Sequence, residues 1–126
     1  MPGRIIHGID AATALFAPGF EGARGERLQV AYLDAGQGLI ELQLHGGGAN
    51  TIELPLRRIV SKALELHARE LVLAHNHPSG DPAPSAADLR MTRQLDAIAK
   101  PLGLKLRDHL IFAGGRWTSF YAAGLL

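Results

Sequence analysis

ELVLAHNHPSGDPAPSAADL, residues 70–89, is the stretch on which the reading of this chain turns. Its first five residues, Glu70 to Ala74, are short and almost continuously apolar, the pattern of a central strand covered on both faces. The strand delivers His75 at its C-terminal end. HNHPSGDPAPS then places three prolines and a glycine in eleven residues, which excludes regular structure and predicts a stiff, preformed loop. A helix should begin at Ser85 and run to about Lys100, with Leu89, Met91, Leu95, Ile98 and Ala99 on one side and Pro101 and Gly103 ending it. Stiffness between a strand end and a helix start suits a site that must hold ligands in place.

In extended backbone, residues i and i+2 point to the same side, so His75 and His77 can offer two imidazoles to one metal while Asn76 points away. Asp88 lies in the first turn of the following helix, within reach if the loop folds back. Two His and one carboxylate leave a fourth tetrahedral position open, the arrangement of catalytic rather than structural zinc. Ser85-x-x-Asp88 is equally a capping-box pattern, and capping and ligation can coexist at Asp88.

Working outward, LQVAYL, the turn Ala-Gly-Gln-Gly and LIELQLH predict a β-hairpin, in which Ile40, Leu42 and Leu44 alternate with Glu41, Gln43 and His45. After GGGAN, read as flexible, LPLRRIVSKALELHA predicts an amphipathic helix. Leu56, Ile59, Val60, Ala63 and Leu64 form its apolar side, and Arg57, Arg58, Lys62 and Glu65 its solvated one. LKLRDHLIFAGGRWTSF reads as two strands around Gly-Gly. His109 in that run is expected to be a hydrogen-bonded core residue or a partner of a ligand, Trp117 and Phe120 to be core aromatics, and His7, His45 and His67 to be surface positions. Residues 1–25 are expected to be an extension with at most one short helix, from about Asp10 to Phe16, capped by Asp10. The expected architecture is α/β (α+β), a mixed β-sheet flanked by helices, with one domain over 26–126.

At 126 residues and 47% hydrophobic content the chain can build a single packed core. Thirteen basic against twelve acidic residues give a net charge of +1, which argues against a dedicated nucleic-acid binder. Cysteine is absent, so no disulfide staples the fold and a transition metal must be held by His and carboxylate. No signal-like segment opens the chain, and no apolar run approaches the roughly 20 residues that span a bilayer, so a cytoplasmic, soluble protein is expected.

His75-x-His77-Pro78-x6-Ser85-x2-Asp88 resembles the JAMM motif of JAB/MPN-type metalloproteases, whose domains have a cytidine-deaminase-like architecture. The longer string HNHPSGDPAPSAADL, with DHLI near the C-terminus, is similar to the RadC branch of that superfamily, and the resemblance covers about residues 26–126. It implies His75, His77 and Asp88 as zinc (Zn2+) ligands, Ser85 as a hydrogen-bond donor to a tetrahedral oxyanion, and an upstream glutamate as general base. Relatives open the strand ending in Leu-Asp with that glutamate. Here the strand is ERLQVAYLD, which points to Glu26, with Glu41 as the alternative. The implied activity is hydrolysis of a peptide or isopeptide bond in a peptide or protein substrate, which an exposed sheet edge near the site would accept as an added strand. GGGAN stands where similar chains carry an Arg-Gly-Thr turn, which bears on the substrate groove, and no helix-hairpin-helix region precedes the domain, which weakens a DNA role. Two other readings compete: a DNA-repair-associated binding module with a structural or vestigial metal, and an iron(II) oxygenase using a two-His-one-carboxylate triad. The usual all-β setting of such triads ranks the latter last.

Overall fold

The predicted central strand is the middle of a five-stranded sheet. The structure, a computed structural model, describes residues 3–46 and 55–126. The strands are β1 (Arg27–Leu33), β2 (Leu39–Gly46), β3 (Glu70–Asn76), β4 (Lys105–Ala113) and β5 (Arg116–Ser119), in the order β2-β1-β3-β4-β5. β1 runs antiparallel to both β2 and β3, β3 is parallel to β4, and β4 is antiparallel to β5. The sheet is therefore mixed. Among the described residues three α-helices flank it: α1 (Gly8–Phe20), α2 (Leu56–Glu65) and α3 (Ala86–Ala99).

Alternation along β3 sorts the core into two layers. Leu71 and Leu73 join Leu28, Val30 and Tyr32 of β1 in packing against Ile59 and Ala63 of α2 and Leu95 and Ala99 of α3. Val72 and Ala74 face the other way, with Ala31, Leu33 and Leu110, against Ala12, Leu15 and Phe16 of α1. Odd-numbered β3 residues, His75 among them, thus belong to the α3 side. Each fully buried Leu or Ile side chain contributes about 1.5–3 kcal/mol of apolar transfer free energy, so α3 is held down chiefly by Leu95 and Ala99.

Several local readings change. The first helix spans Gly8–Phe20 rather than Asp10–Phe16, its N-cap is His7 without a side-chain capping bond, and Asp10 sits in its first turn. Ala12, Leu15 and Phe16 recur at helical spacing, and burying them against the sheet sustains a longer helix than the Gly- and Pro-rich text suggests. Ile6, just before it, is fully buried too. On β2, Ile40, Leu42 and Leu44 are 39%, 38% and 55% exposed, because β2 is an edge strand that α1 does not cover. Trp117, read as a core aromatic, is 43% exposed on the opposite edge strand, whereas Phe120 is buried as expected. The inward stripe of α3 is Asp88, Thr92, Leu95 and Ala99; Ile98 faces solvent. Gly114 and Gly115, both at positive φ, make the two-residue turn between β4 and β5. The GGGAN stretch lies outside the described residues beyond Gly46.

Candidate metal centre

β3 continues two residues past its apolar run, so His75 is its penultimate residue and His77 the first residue of the loop. His77 is tied to the sheet by its backbone N–H, which donates to Phe112 O at 2.8 Å. Its ring is fixed from the loop side: Nδ1 lies 2.8 Å from the Asp81 carbonyl, which only accepts, so Nδ1 donates there and Nε2 is the atom turned to the other two side chains. The Pro-rich segment then returns the chain to α3, where Ser85 is the N-cap. Ser85 Oγ accepts from Asp88 N at 3.0 Å, and Ser85 N donates to Asp88 Oδ2 at 2.8 Å, a complete capping box. Capping thus orients the Asp88 carboxylate.

The three side chains converge. His75 Nε2 lies 2.9 Å from His77 Nε2, His77 Nε2 lies 3.1 Å from Asp88 Oδ2, and His75 Nε2 lies 3.3 Å from Asp88 Oδ1. One ligand atom from each of the three lies within 4.8 Å of the other two. Zinc bonds of about 2.0–2.2 Å at tetrahedral angles separate ligand atoms by about 3.3–3.6 Å, so these side chains need only tenths of an ångström to embrace one ion. His75 and Asp88 are buried and His77 is half-buried. Burial by itself would raise the Asp88 pKa, but the polar contacts of its carboxylate, with His75 first and then with the Ser85 backbone N–H, outweigh it and hold the carboxyl below its usual range. The donor set is therefore two imidazoles and one carboxylate, a set that suits a transition metal such as zinc or iron(II) rather than calcium.

Glu26 stands immediately before β1. Leu28, two residues on, is opposite His75 at the end of the β1–β3 ladder, so Glu26 enters the sheet beside the His75 end of β3. Asn76 holds it there from both flanks. Its Oδ1 accepts from Arg27 N at 2.6 Å, and its Nδ2 donates to Gly25 O at 3.1 Å. Asn76 does point away from the ligands, as alternation requires, yet it clamps the neighbours of Glu26, a role that sequence alone does not signal. Glu41 is elsewhere. It pairs with Tyr32, four residues along β2 from the level of His45 and His75 and so about 13 Å distant, and its carboxylate bridges Lys62 at 3.4 Å.

Ser85 is exposed beside the ligands; its capping bond uses an Oγ lone pair and leaves the O–H able to donate. Behind His75, the buried His109 lies 2.7 Å from His75 Nδ1 and 2.7 Å from Thr92 Oγ1, with its ring stacked on Phe120 at 4.7 Å. Burial, then the neighbouring His75, push the His109 pKa well below its ordinary value, so it is neutral. Asp108 supports this layer from β4, accepting from His109 N, Ser119 Oγ and Tyr121 N. Thr92 and Asp108 went unmarked in the sequence reading; the helical spacing Asp88-x3-Thr92 was the available signal for the first.

Sequence comparison bears on the same residues. The description RadC-like JAB domain matches residues 6–125, nearly the whole chain and all the residues just described. The chain belongs to the RadC-like JAB domain family. That match takes in α1, which packs on the sheet face opposite α3. Among curated relatives, a UPF0758 protein of Rhodobacter capsulatus is 46% identical over 102 residues, covering 80% of this chain and 48% of that protein. One from Geobacter sulfurreducens is 38% identical over 108 residues, with 85% and 47% covered, and one from Aquifex aeolicus 39% over 104 residues, with 82% and 45% covered. The chain spans about half the length of these relatives. Among the described residues no helix is long and apolar enough to cross a membrane.

Proposed function

We propose that this chain is a zinc-dependent hydrolase of peptide or isopeptide bonds, with the ion held by His75 Nε2, His77 Nε2 and an Asp88 carboxylate oxygen. One observation carries the reading: one ligand atom from each of His75, His77 and Asp88 lies within 4.8 Å of the other two, with the two Nε2 atoms 2.9 Å apart and each 3.1 to 3.3 Å from an Asp88 carboxylate oxygen, an arrangement that suits one shared cation. A bound zinc ion supplies Lewis acidity, polarising a carbonyl and making a water acidic enough to lose its proton near neutral pH.

The protein's own residues supply the rest. Glu26, beside the His75 end of β3 and flanked by the Asn76 clamp, takes the proton on its carboxylate and later passes it to the leaving nitrogen. Ser85 O–H donates to the oxygen that becomes negative as the carbonyl turns tetrahedral. Asp88 is held ionised by the capping box, so no proton competes for its ligating oxygens near neutral pH. β3 is interior, and the sheet edges are β2 and β5, each two strands from it. A substrate added as a strand to either edge reaches the ligands only across the end of the sheet.

The test is elemental analysis of the reconstituted protein, followed by mass-spectrometric readout of a mixed peptide library. The expected result is one zinc per chain, cleavage of a subset of peptides, loss of zinc in His77→Ala, and loss of cleavage with retained zinc in Glu26→Gln. A chain without zinc above background refutes the metal assignment, iron in its place selects the oxygenase reading, and Glu26→Gln cleaving like wild type refutes the base.

A further inference from the structure

We infer that His109 and Thr92 form a proton-ordered relay that dictates which ring nitrogen of His75 faces the metal centre, and that both are positioning residues. The inference rests on the metal reading only for its purpose; its geometry belongs to the metal-free chain.

Donor counting gives the direction. Thr92 has one hydroxyl hydrogen, and Oγ1 donates it to the Asp88 carbonyl at 2.7 Å. Toward His109 Nδ1, also at 2.7 Å, Thr92 Oγ1 is therefore the acceptor, and His109 Nδ1 carries the hydrogen. A neutral ring so protonated has a bare Nε2. That atom lies 2.7 Å from His75 Nδ1, so His75 Nδ1 must carry the hydrogen and donate it. The lone pair of His75 is left on Nε2, the atom that meets His77 and Asp88.

Two features make this a device rather than a coincidence of packing. A ligating His usually donates its second N–H to a carboxylate or carbonyl, an acceptor by nature. Here the acceptor is an imidazole, which either donates or accepts at a given nitrogen, so its sense has to be set by the next group, and Thr92 sets it. The chain also closes on itself: Thr92 is one helical turn after Asp88, so the relay begins at the Asp88 backbone and ends at the atom facing the Asp88 carboxylate. Thr92 and His109 are both almost fully buried, and Phe120 stacks on the His109 ring with planes 19° apart, which hinders its rotation. Water has no access with which to replace a missing partner.

The experiment reads ring hydrogens directly. Long-range 1H–15N correlation spectra of metal-free, 15N-labelled protein at pH 8 should show His75 and His109 both as Nδ1–H. Thr92→Val keeps the shape of the side chain and removes the acceptor. His109 should then shift its hydrogen to Nε2 and donate to His75 Nδ1, leaving the His75 hydrogen on Nε2. Zinc affinity, measured by competition with a chromophoric chelator, should fall about 10- to 100-fold, and Thr92→Ser should restore both spectrum and affinity. Wild-type His75 carrying its hydrogen on Nε2 overturns the relay. So does a Thr92→Val protein with wild-type spectra, whether or not its affinity falls, because a loss without a tautomer change would come from α3 packing. Wild-type protein with both rings as Nδ1–H and no affinity for zinc supports the relay and refutes the metal assignment instead.

Discussion

Replacing Ser85 separates two roles that one hydroxyl performs. Its Oγ accepts from Asp88 N at 3.0 Å as the N-cap of α3, and its O–H is proposed to donate to the reacting oxygen. Loss of a Ser N-cap to Ala costs about 0.5–2 kcal/mol, typically about 1, whereas replacement by Gly costs only a few tenths. Ser85 is exposed and the reciprocal bond from its backbone N–H to Asp88 Oδ2 survives both changes, so about 1 kcal/mol is the figure to expect for Ser85→Ala. For a chain of this size that lowers the Tm by roughly 3–5 °C, and Ser85→Gly should lower it by about a third of that. Removing one donor to an oxyanion costs about 10²–10³ in kcat, and it should do so equally in both variants. A loss of about 1 kcal/mol leaves a stable domain folded at 25 °C, so the two effects cannot be confused. Thermal melts, zinc content and turnover of the best-cleaved library peptide provide the assay. Turnover that tracks Tm across the two variants, or unchanged turnover in both, would refute the oxyanion role.

Other perturbations follow from the packing. Zinc at a thousandfold excess over its Kd should stabilise the wild-type chain by about 4 kcal/mol, seen as a raised Tm that a chelator reverses and that His77→Ala abolishes. At Gly19 an added Cβ would stand 2.5 Å from Gln29 Nε2, and Gln29 is buried and bonded to Phe16 O. Gly19→Ala should therefore cost about 1–3 kcal/mol in urea unfolding; an unchanged midpoint would show that Gln29 gives way. Burial, then Glu41, raise the Tyr32 pKa above its ordinary value of 10.0. The folded state thus retains a proton that the unfolded state loses, so the contribution is intact below pH 10 and lost as pH rises beyond it. Tyr32→Phe should flatten that alkaline decline while losing about 1 kcal/mol at neutral pH with the 2.9 Å bond to Gln43.

Much of the architecture was legible because its signals are local. A continuous apolar run that leads into a proline-rich loop announces β3, the hairpin turn separates two alternating runs, and a capping box opens α3 where the text says it should. The ligand trio was legible for the same reason, since strand parity and the helix start place three donors within one short segment. What escaped depends on long-range neighbours. The alternation of Ile40, Leu42 and Leu44 marks a strand, but only the sheet order, which puts β2 at an edge, shows how exposed they are. Apolar counting chose Met91 and Ile98 for the inner face of α3, whereas the helix turns Asp88 and Thr92 inward because His75 and His109 wait there to bond them. Asn76 reads as a spacer between two histidines, and only the β1–β3 register reveals that it grips the backbone on either side of Glu26.

The three converging side chains all come from His75 to Asp88, a span of only fourteen residues by the numbering. An ion there acts as a clasp on one β-loop-α unit, closing a ring of about eleven residues between His77 and Asp88 whose closure entropy is small. Its departure should therefore unfasten that segment while the sheet stays folded, so that in hydrogen exchange the metal protects the amides of the loop and the first turn of α3 and leaves the slow core of β1, β3 and β4 untouched.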